Sequence, residues 1–197
     1  TDDDLKPRSS DPHELTNRPI ECKGNDLTTE VGIGNTGIEA ENYSNCNYGE
    51  DISSHHQWIE IADINSSNGA YLIGLPDQNM HTHENFYGPS LEYEIQFSAP
   101  GTYYVWISVR GNSYQNDTIG LSWEENVSTE DITEISSFAW NSYGQWEWEP
   151  QSSGVPLSIT VTNQEYATLT VWMREDGVQF DQLIITSDSE FNPYEEE

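Results

Sequence analysis

Paired acidic side chains near residue 40 are the first candidates for chemistry in this sequence. Glu39 and Glu41 lie in the segment IEAENY, and residues two apart in a β-strand project to the same face. Two carboxylates on one face repel each other unless a cation lies between them. Calcium is a hard cation that takes oxygen ligands, so it fits this pair. The spacing leaves open a second interpretation, an exposed and acidic edge strand.

A third carboxylate, Asp181, lies inside an apolar stretch between Phe180 and Leu183. A buried carboxylate at this position requires a partner, because burying an unpaired charge is costly. Either a metal ion or Arg174, which begins the turn signal REDG, could supply the positive charge. We interpret Arg174 itself as structural.

Arg110 stands out because basic residues are scarce in this part of the chain. It ends the stretch TYYVWISVR and leads, with Asn112, into the polar loop RGNSYQND. A guanidinium at such a position could clamp sugar hydroxyls or a carboxylate through its fork of N–H donors. A structural ion pair with one of the many acidic residues is an equally open interpretation.

Other arrangements of reactive side chains give weaker signals. His81 and His83, followed by Glu84, could bind a transition metal, but no further ligand follows at a suitable spacing. The sequence has no G-x-S-x-G, HExxH or P-loop motif. Acidic pairs are abundant enough for a glycosidase, yet one patterned region accounts for the chain. We therefore expect a protein that is not an enzyme.

The elements that position these residues are predicted to be β-strands. Strict alternation of apolar and polar residues over 91–97, 102–110 and 166–174 is typical of half-buried strands. Further strands are predicted near 38–43, 57–62, 69–75, 118–123, 145–149, 155–162 and 179–186. No stretch has a convincing helical period. About ten short strands with polar turns predict an all-β, two-sheet antiparallel sandwich of the jelly-roll type.

The composition narrows the range of partners. The chain has 197 residues and a formal net charge of −29, with 35 acidic residues against 6 Lys and Arg. Nucleic acid and anionic membranes are disfavoured, because phosphates need basic side chains to neutralise them. No apolar run approaches the roughly 20 residues that span a bilayer. So acidic a surface fits a high-salt or marine habitat, bound divalent cations, or both.

The sequence predicts one domain with flanking segments. Residues 1–36 are interpreted as a linker or an extended docking segment, residues 37–190 as the sandwich, and residues 191–197 as an exposed tail. The beginning of the chain suggests a mature or excised fragment. Cys22 and Cys46 are expected to form a disulfide in a secreted protein, with two free thiols as the alternative.

Four segments together resemble a known group of proteins. These are EAENY, GTYYVWISVRG, GQWEW and VWMREDGVQFDQLIIT, and they resemble noncatalytic carbohydrate-binding modules of families 6 and 35 over roughly residues 37–187. The resemblance implies a β-jelly roll with a structural calcium between the first strand and the last. Glu39, Glu41 and Asp181 then become the calcium ligands.

The resemblance also implies a sugar site built from aromatic rings and polar side chains. GQWEW nominates Trp146 as the ring that stacks on a pyranose, and GAYLIG nominates Tyr71 as a second ring. Gln179 is a candidate polar sugar ligand, at a position where these modules commonly have Asn, so its identity departs from their pattern. Trp140 and Tyr143 are reserve candidates for stacking, and Arg110 and Asn112 are the candidate polar groups.

The expected function is therefore a calcium-stabilised module that holds a secreted polysaccharide-degrading enzyme on its glycan. The strong negative charge favours a neutral glycan, such as an agarose-like galactan, xylan or β-glucan, while a marine source would leave acidic algal polymers as an alternative. We expect a monomer within a multidomain enzyme. The alternatives are a calcium-rigidified adhesion or structural domain without glycan specificity, and a lyase or hydrolase.

Overall fold

A computed structural model describes residues 18–22, 24, 26–50, 53–82, 88–125, 136–139, 143–149, 156–162 and 166–195. Within these ranges the regular structure is β-strand, with one short 3-10 turn at Ser67–Gly69. The described residues include no helix that is long and apolar enough to cross a membrane.

Fourteen strands are found in the described part of the chain. They are β1 (Arg18–Pro19), β2 (Thr28–Val31), β3 (Asn35–Glu39), β4 (Asn45–Asn47), β5 (Gln57–Ala62), β6 (Ala70–Leu75), β7 (Ser90–Phe97), β8 (Gly101–Arg110), β9 (Thr118–Glu125), β10 (Ser136–Ala139), β11 (Glu147–Glu149), β12 (Leu157–Val161), β13 (Tyr166–Met173) and β14 (Gln179–Thr186). The predicted strands are thus present, most with bounds shifted by one or two residues. Sequence periodicity did not reveal β1, β2, β4 and β10, which are two to four residues long.

The strands form two sheets that pack as a sandwich. The eight-stranded sheet has the order β1-β5-β6-β14-β8-β11, with β3 also paired to β14 and β12 to β8. The six-stranded sheet has the order β10-β9-β13-β7-β2, with β4 also paired to β7. The expected all-β sandwich is confirmed. One pair departs from the antiparallel expectation, because β2 runs parallel to β7.

The alternating strands bury the residues that their pattern predicts. Leu91, Ile95 and Phe97 on β7 are fully buried, and Tyr93 is nearly so. On β8 the inward row is Tyr103, Val105, Ile107 and Val109, all 0–1% exposed. The opposite row of β8, which ends at Arg110, therefore faces outward from the eight-stranded sheet.

A β-bulge interrupts β14 at Asp181. Phe180 pairs with Val109 and Gln182 pairs with Ser108, so Asp181 has no partner residue on β8. Its carbonyl oxygen instead accepts a hydrogen bond from the backbone N–H of Ala40 at 2.8 Å. Bulges re-aim a side chain locally, and this one turns Asp181 toward the end of β3.

Part of the predicted N-terminal segment contacts the sandwich. Ile20 and Val31 are buried in the same core as the main strands. Cys22 and Cys46 form a disulfide with a Cα–Cα distance of 4.9 Å, as predicted. Residues 1–17 of the predicted linker or docking segment lie outside the described residues.

Removal of the disulfide should destabilise the fold measurably. The bridge links cysteines separated by 24 positions, and a loop of that size stabilises by about 3 kcal/mol in the chain-entropy account. The double variant Cys22→Ala with Cys46→Ala should lose about that much free energy of unfolding in urea. Dithiothreitol should shift the wild type equally and leave the double variant unchanged. An equal stability of both proteins without reductant would contradict this role.

Candidate functional site

Arg110 is the last residue of β8 and belongs to the outward row of that strand. Two polar partners hold its side chain. Its Nε donates to Oε1 of Gln179 at 2.7 Å, and Gln179 is its pairing partner on β14. Its Nη2 forms an ion pair with Oδ2 of Asp63 at 3.3 Å. Both partners fix the plane of the guanidinium. The structural ion pair, one of the two interpretations left open for Arg110, is thus present.

Two aromatic rings flank the same guanidinium. Its central carbon lies 4.3 Å from the ring centroid of Trp146 and 5.0 Å from that of Tyr71. The two rings meet edge to face, with centroids 5.4 Å apart and an interplanar angle of 71°. A cation this close to an aromatic face is attracted by the ring quadrupole. We call Tyr71, Arg110 and Trp146 the aromatic platform.

The platform is half-buried, so its rings remain partly open to solvent. Burial raises the pKa of Tyr71, while the charge of Arg110 opposes that rise. The indole N–H of Trp146 is buried and has no hydrogen-bond partner among the described residues. Apolar ring surface beside a few fixed polar groups is the usual composition of a site for an organic ligand. Such a surface matches the C–H face and hydroxyls of a sugar.

The remaining sugar-site candidates lie in nearby loops. Asn112 is exposed, and its backbone N–H donates to Oδ1 of Asn116 at 2.6 Å. Tyr143 is 41% exposed, and its hydroxyl donates to Asp117 at 3.0 Å. The N–H of Gly144 binds the carbonyl of Gly111, which joins the loop of Asn112 to the loop before Trp146. Trp140 lies outside the described residues.

Three acidic side chains meet around the turn that precedes β6. The backbone N–H of Ser67 lies 3.1 Å from both carboxylate oxygens of Asp181. The hydroxyl of Ser67 donates to Glu39 at 2.9 Å, and the amide of Asn68 donates to Glu41 at 2.9 Å. We call Glu39, Glu41 and Asp181 the carboxylate cluster.

Glu39 and Glu41 do not share one strand face, contrary to the prediction. β3 ends at Glu39, and Glu41 lies in the following turn, where the N–H of Asn42 binds the carbonyl of Glu39. The strand stops there because the bulge at Asp181 ends its pairing with β14. The turn and the residues at 67–68 nevertheless bring the two carboxylates into one region.

The carboxylate cluster carries more negative charge than its hydrogen bonds satisfy. Oε2 of Glu39 and Oε2 of Glu41 are buried without a hydrogen-bond partner among the described residues. Burial, with smaller contributions from both glutamates, raises the pKa of Asp181 to about 6, although the Ser67 N–H and Arg110 oppose the rise. Burial raises the pKa of Glu41 as well.

The three side chains of the cluster are not positioned close enough together to form a metal site. Among the residues described, no group of three or more His, Cys, Asp or Glu side chains is placed to hold a metal ion. Two orphaned carboxylate oxygens, Oε2 of Glu39 and Oε2 of Glu41, nonetheless remain in the cluster as candidate ligand atoms. Oxygen-only ligands of this kind fit calcium rather than a transition metal.

The carboxylate cluster and the aromatic platform are directly connected. Gln179 of the Arg110 contact and Asp181 of the cluster lie two residues apart on β14. Ser67, which binds Glu39 and Asp181, belongs to the turn that leads into β6 and Tyr71. Any shift of the cluster would therefore move both sides of the platform.

Asp63 is the site residue that the sequence did not nominate. Its Oδ1 accepts the backbone N–H of Asn65 at 2.9 Å, which forms a small turn after β5 and leaves Oδ2 for Arg110. That backbone hydrogen bond is the main cause of a lowered pKa at Asp63, and Arg110 adds to it. The available signal was the D-x-N turn pattern that follows a predicted strand.

The REDG turn contains a second pair of buried acids, which hold loops together. Asp176 is fully buried and accepts the backbone N–H groups of Gln78 at 2.7 Å and Met80 at 2.8 Å. Nε2 of His56 lies 3.1 Å from the same carboxylate. Glu175 contacts His81 at 3.2 Å. The second histidine of the weak metal candidate, His83, lies outside the described residues.

The glycosyl hydrolase family 115 C-terminal domain matches residues 33–193, which is most of the chain. The chain belongs to this family. The matched region contains the aromatic platform, the carboxylate cluster and all strands except β1 and β2. A curated relative of the GH115 C-terminal domain described here, uncharacterized protein P23 of Formosa agariphila, is 26% identical over 153 residues. That alignment covers 66% of this chain but only 35% of the relative.

Solved structures of similar fold include carbohydrate-binding modules. A family 35 carbohydrate-binding module from Clostridium thermocellum has 12% sequence identity and a TM-score of 0.51, over 78% of this chain and 98% of that one. The GH26-CBM35 β-(1,4)-mannanase of Podospora anserina has 11% identity and a TM-score of 0.50, over 81% and 29%. The isomalto-dextranase of Arthrobacter globiformis T6 has 13% identity and a TM-score of 0.53, over 77% and 23%. The expected resemblance is therefore confirmed in fold.

The raised pKa of Asp181 predicts how stability depends on pH when divalent cations are absent. The folded protein holds this proton more tightly than the unfolded chain. Its stabilising effect is therefore present below about pH 4 and is lost as the pH rises through about 6. The wild type in EDTA should lose about 1–2 kcal/mol of unfolding free energy through this group between pH 4.5 and pH 7.5.

Burial also raises the pKa of Glu149, to about 7, so Glu149 contributes a pH dependence in the same direction. The variant Asp181→Asn is therefore needed to isolate the contribution of Asp181. Urea unfolding of Asp181→Asn in EDTA should show a shallower pH dependence than the wild type. Glu190→Gln, at an exposed position, is the matched control and should retain the wild-type slope. Parallel slopes for all three proteins would mean that Asp181 is not held in the cluster.

Proposed function

We propose that this GH115 C-terminal domain is a noncatalytic carbohydrate-binding module that holds a larger secreted enzyme on its polysaccharide. The observation that carries the proposal is the aromatic platform. Tyr71, Arg110, Trp146 and Gln179 come from four separate strands or loops, and the fold gathers them at one place on the outward face of the eight-stranded sheet. The similarity in fold to family 35 modules supports this function.

The ligand we propose is a neutral glycan. Asp63 already compensates the charge of Arg110, and Gln179 takes its Nε donor, so the guanidinium is poorly available to a carboxylate or sulfate. Asp181 and the rest of the carboxylate cluster add negative charge nearby. An acidic polymer would be repelled, whereas a sugar ring needs only apolar ring surface and a few hydrogen bonds.

Calcium is the cation that we propose for the carboxylate cluster. Glu39, Glu41 and Asp181 would hold it, and the two orphaned glutamate oxygens are the support for that assignment. The ion would neutralise their mutual repulsion and tie the turn at 67–69 to β3 and β14. Because these elements also position Tyr71 and Gln179, the proposed role of the ion is to stabilise the platform rather than to contact sugar.

The targeting role follows from effective concentration. The curated relative is much longer than this chain, and the mannanase of similar fold has a chain of which this domain covers 29%. Tethering a catalytic domain to a bound module raises its local concentration at the polymer without any new catalytic contact. We propose a secreted location, for which the disulfide provides support.

Loss of the Trp146 ring should weaken glycan binding strongly without unfolding the protein. Trp146→Ala removes half-buried ring surface at the edge of the sheet, and stacking on one aromatic ring is worth roughly 1–3 kcal/mol by analogy with base stacking. Affinity for the glycan that binds best should therefore fall at least about tenfold. Affinity electrophoresis in gels containing agarose, xylan or β-glucan measures this directly.

Tyr166→Ala is the matched control, because Tyr166 is a 50% exposed aromatic residue on the six-stranded sheet. It should bind glycan as the wild type does. If the wild type binds no polysaccharide and yet folds normally, the alternative of an adhesion or structural domain is favoured. Release of sugar products by the isolated chain would contradict the noncatalytic assignment.

Calcium should raise the melting temperature through the carboxylate cluster. A ligand at 100 times its Kd stabilises the folded state by about 2.7 kcal/mol, which is roughly 5–10 °C for a chain of this size. The measurement is a thermal melt in calcium against EDTA at pH 7.5. Glu39→Gln with Glu41→Gln should remove the shift, and magnesium should reproduce it poorly. An equal shift in that double variant would place calcium elsewhere.

A further inference from the structure

The outward face of the eight-stranded sheet continues beyond the aromatic platform. Along β8 the outward row runs from Arg110 through Ser108 to Trp106 and Tyr104, which spans about 13 Å from Arg110 to Trp106 at roughly 3.3 Å per residue. Trp148 pairs with Ser108 on the neighbouring strand. This row would extend the platform with further ring surface if it were open.

A folded segment lies over that extension instead. Residues 187–195, which we call the C-terminal segment, follow β14 and begin beside the Tyr104 end of β8. Ser187 is held to Gly34, because its N–H binds the Gly34 carbonyl at 3.2 Å and its hydroxyl accepts the Gly34 N–H at 2.9 Å. The segment therefore starts from a fixed point.

Two polar turns give the C-terminal segment a defined shape. Oδ1 of Asp188 accepts the N–H of Glu190 at 2.9 Å, and the Asp188 carbonyl accepts the N–H of Phe191. Asn192 repeats the arrangement, since its Oδ1 accepts the N–H of Tyr194 at 3.1 Å. Side-chain turns of this type fix short loops locally.

The segment contacts the outward face at two positions. The ring of Phe191 meets Trp106 edge to face, with centroids 6.3 Å apart. The hydroxyl of Tyr194 accepts the N–H of Trp148 at 2.8 Å and donates to Glu147 at 2.9 Å. Ser108 faces outward between these contacts and is only 4% exposed, while Trp106 and Trp148 are half-buried.

The covered region ends next to the aromatic platform. Trp148, which binds Tyr194, lies two residues from Trp146 on the same edge of the sheet. Tyr194 and Glu195 are exposed, but the hydroxyl of Tyr194 is anchored by its hydrogen bond with the N–H of Trp148. A glycan lying on Trp146 and Tyr71 would meet the C-terminal segment if it extended along β8.

We propose that Phe191 and Tyr194 determine glycan specificity by blocking the path from the platform along β8 toward Trp106. Resting on the proposed function, this restricts the ligand to a short stretch of neutral glycan, a chain end or a side branch, instead of a long internal run. Phe191 and Tyr194 act by excluding further sugar units. Their removal therefore exposes the outward face at Trp106 and Trp148 to a longer glycan.

The length dependence of oligosaccharide binding tests this proposal. The probes are xylo-, agaro- and β-gluco-oligosaccharides of two to six sugars, titrated calorimetrically into the full chain and into Phe191→Ala with Tyr194→Phe. For the series that binds, affinity of the full chain should level off at two or three sugars. The double variant should gain at least about tenfold with five or six sugars and none with two.

The controls separate folding from specificity. A chain ending at Ser187, which keeps the contact with Gly34, should behave as the double variant does. Trp146→Ala in the double-variant background should lose binding to every length. An unchanged melting temperature of the double variant excludes a folding defect as the cause of any altered affinity.

Two results would overturn the proposal for different reasons. If oligosaccharides bind and the double variant has the same length dependence as the full chain, the specificity role of the C-terminal segment is wrong while the proposed function stands. If no series binds the full chain or the double variant, the proposed function fails, and the specificity role fails with it.

Discussion

The fixation of one guanidinium is the interaction on which the candidate site depends. Arg110 is held in its plane by Gln179 and Asp63, and it lies against the rings of Trp146 and Tyr71. Each partner comes from a different part of the chain, so the contact orders β6, β14, β8 and the loop before β11 together. A cation that is hydrogen-bonded at two nitrogens and lies against two aromatic rings loses little mobility when a ligand arrives, which is the physical basis of preorganised binding.

The neighbouring carboxylate cluster introduces unfavourable electrostatic repulsion beside the aromatic platform. Two buried glutamate oxygens have no partner among the described residues, and burial raises the pKa of Asp181 to about 6. Such repulsion is unfavourable at neutral pH unless a cation compensates it. Because Ser67 joins the cluster to the turn before Tyr71, a cation bound there would stabilise the sheet end that carries the platform. A cation bound at the cluster would thus act on the platform through the backbone of these elements.

Much of this structure could be predicted from the sequence, and the failures have physical causes. The alternation of apolar and polar residues predicted β7, β8 and β13, because a strand that packs one face against the other sheet buries every second residue. Short strands such as β2 and β4 lacked enough residues for a period. The shared strand face proposed for Glu39 and Glu41 failed because a bulge at Asp181, a nonlocal event, ends β3.

The sequence predicted some site residues and missed others, again because local patterns do not reveal nonlocal contacts. Ring and polar residues could be nominated from the sequence. The ion pair of Asp63 with Arg110 becomes apparent only when β5 and β8 are placed in one sheet. The central claim is that a neutral glycan binds on the rings beside Arg110. NMR titration of the labelled full chain with the binding oligosaccharide tests it most directly. The account predicts that the indole N–H of Trp146 and the Nε–H of Arg110 shift first, with Tyr166 unchanged. Shifts confined to the six-stranded sheet, or none, would contradict it.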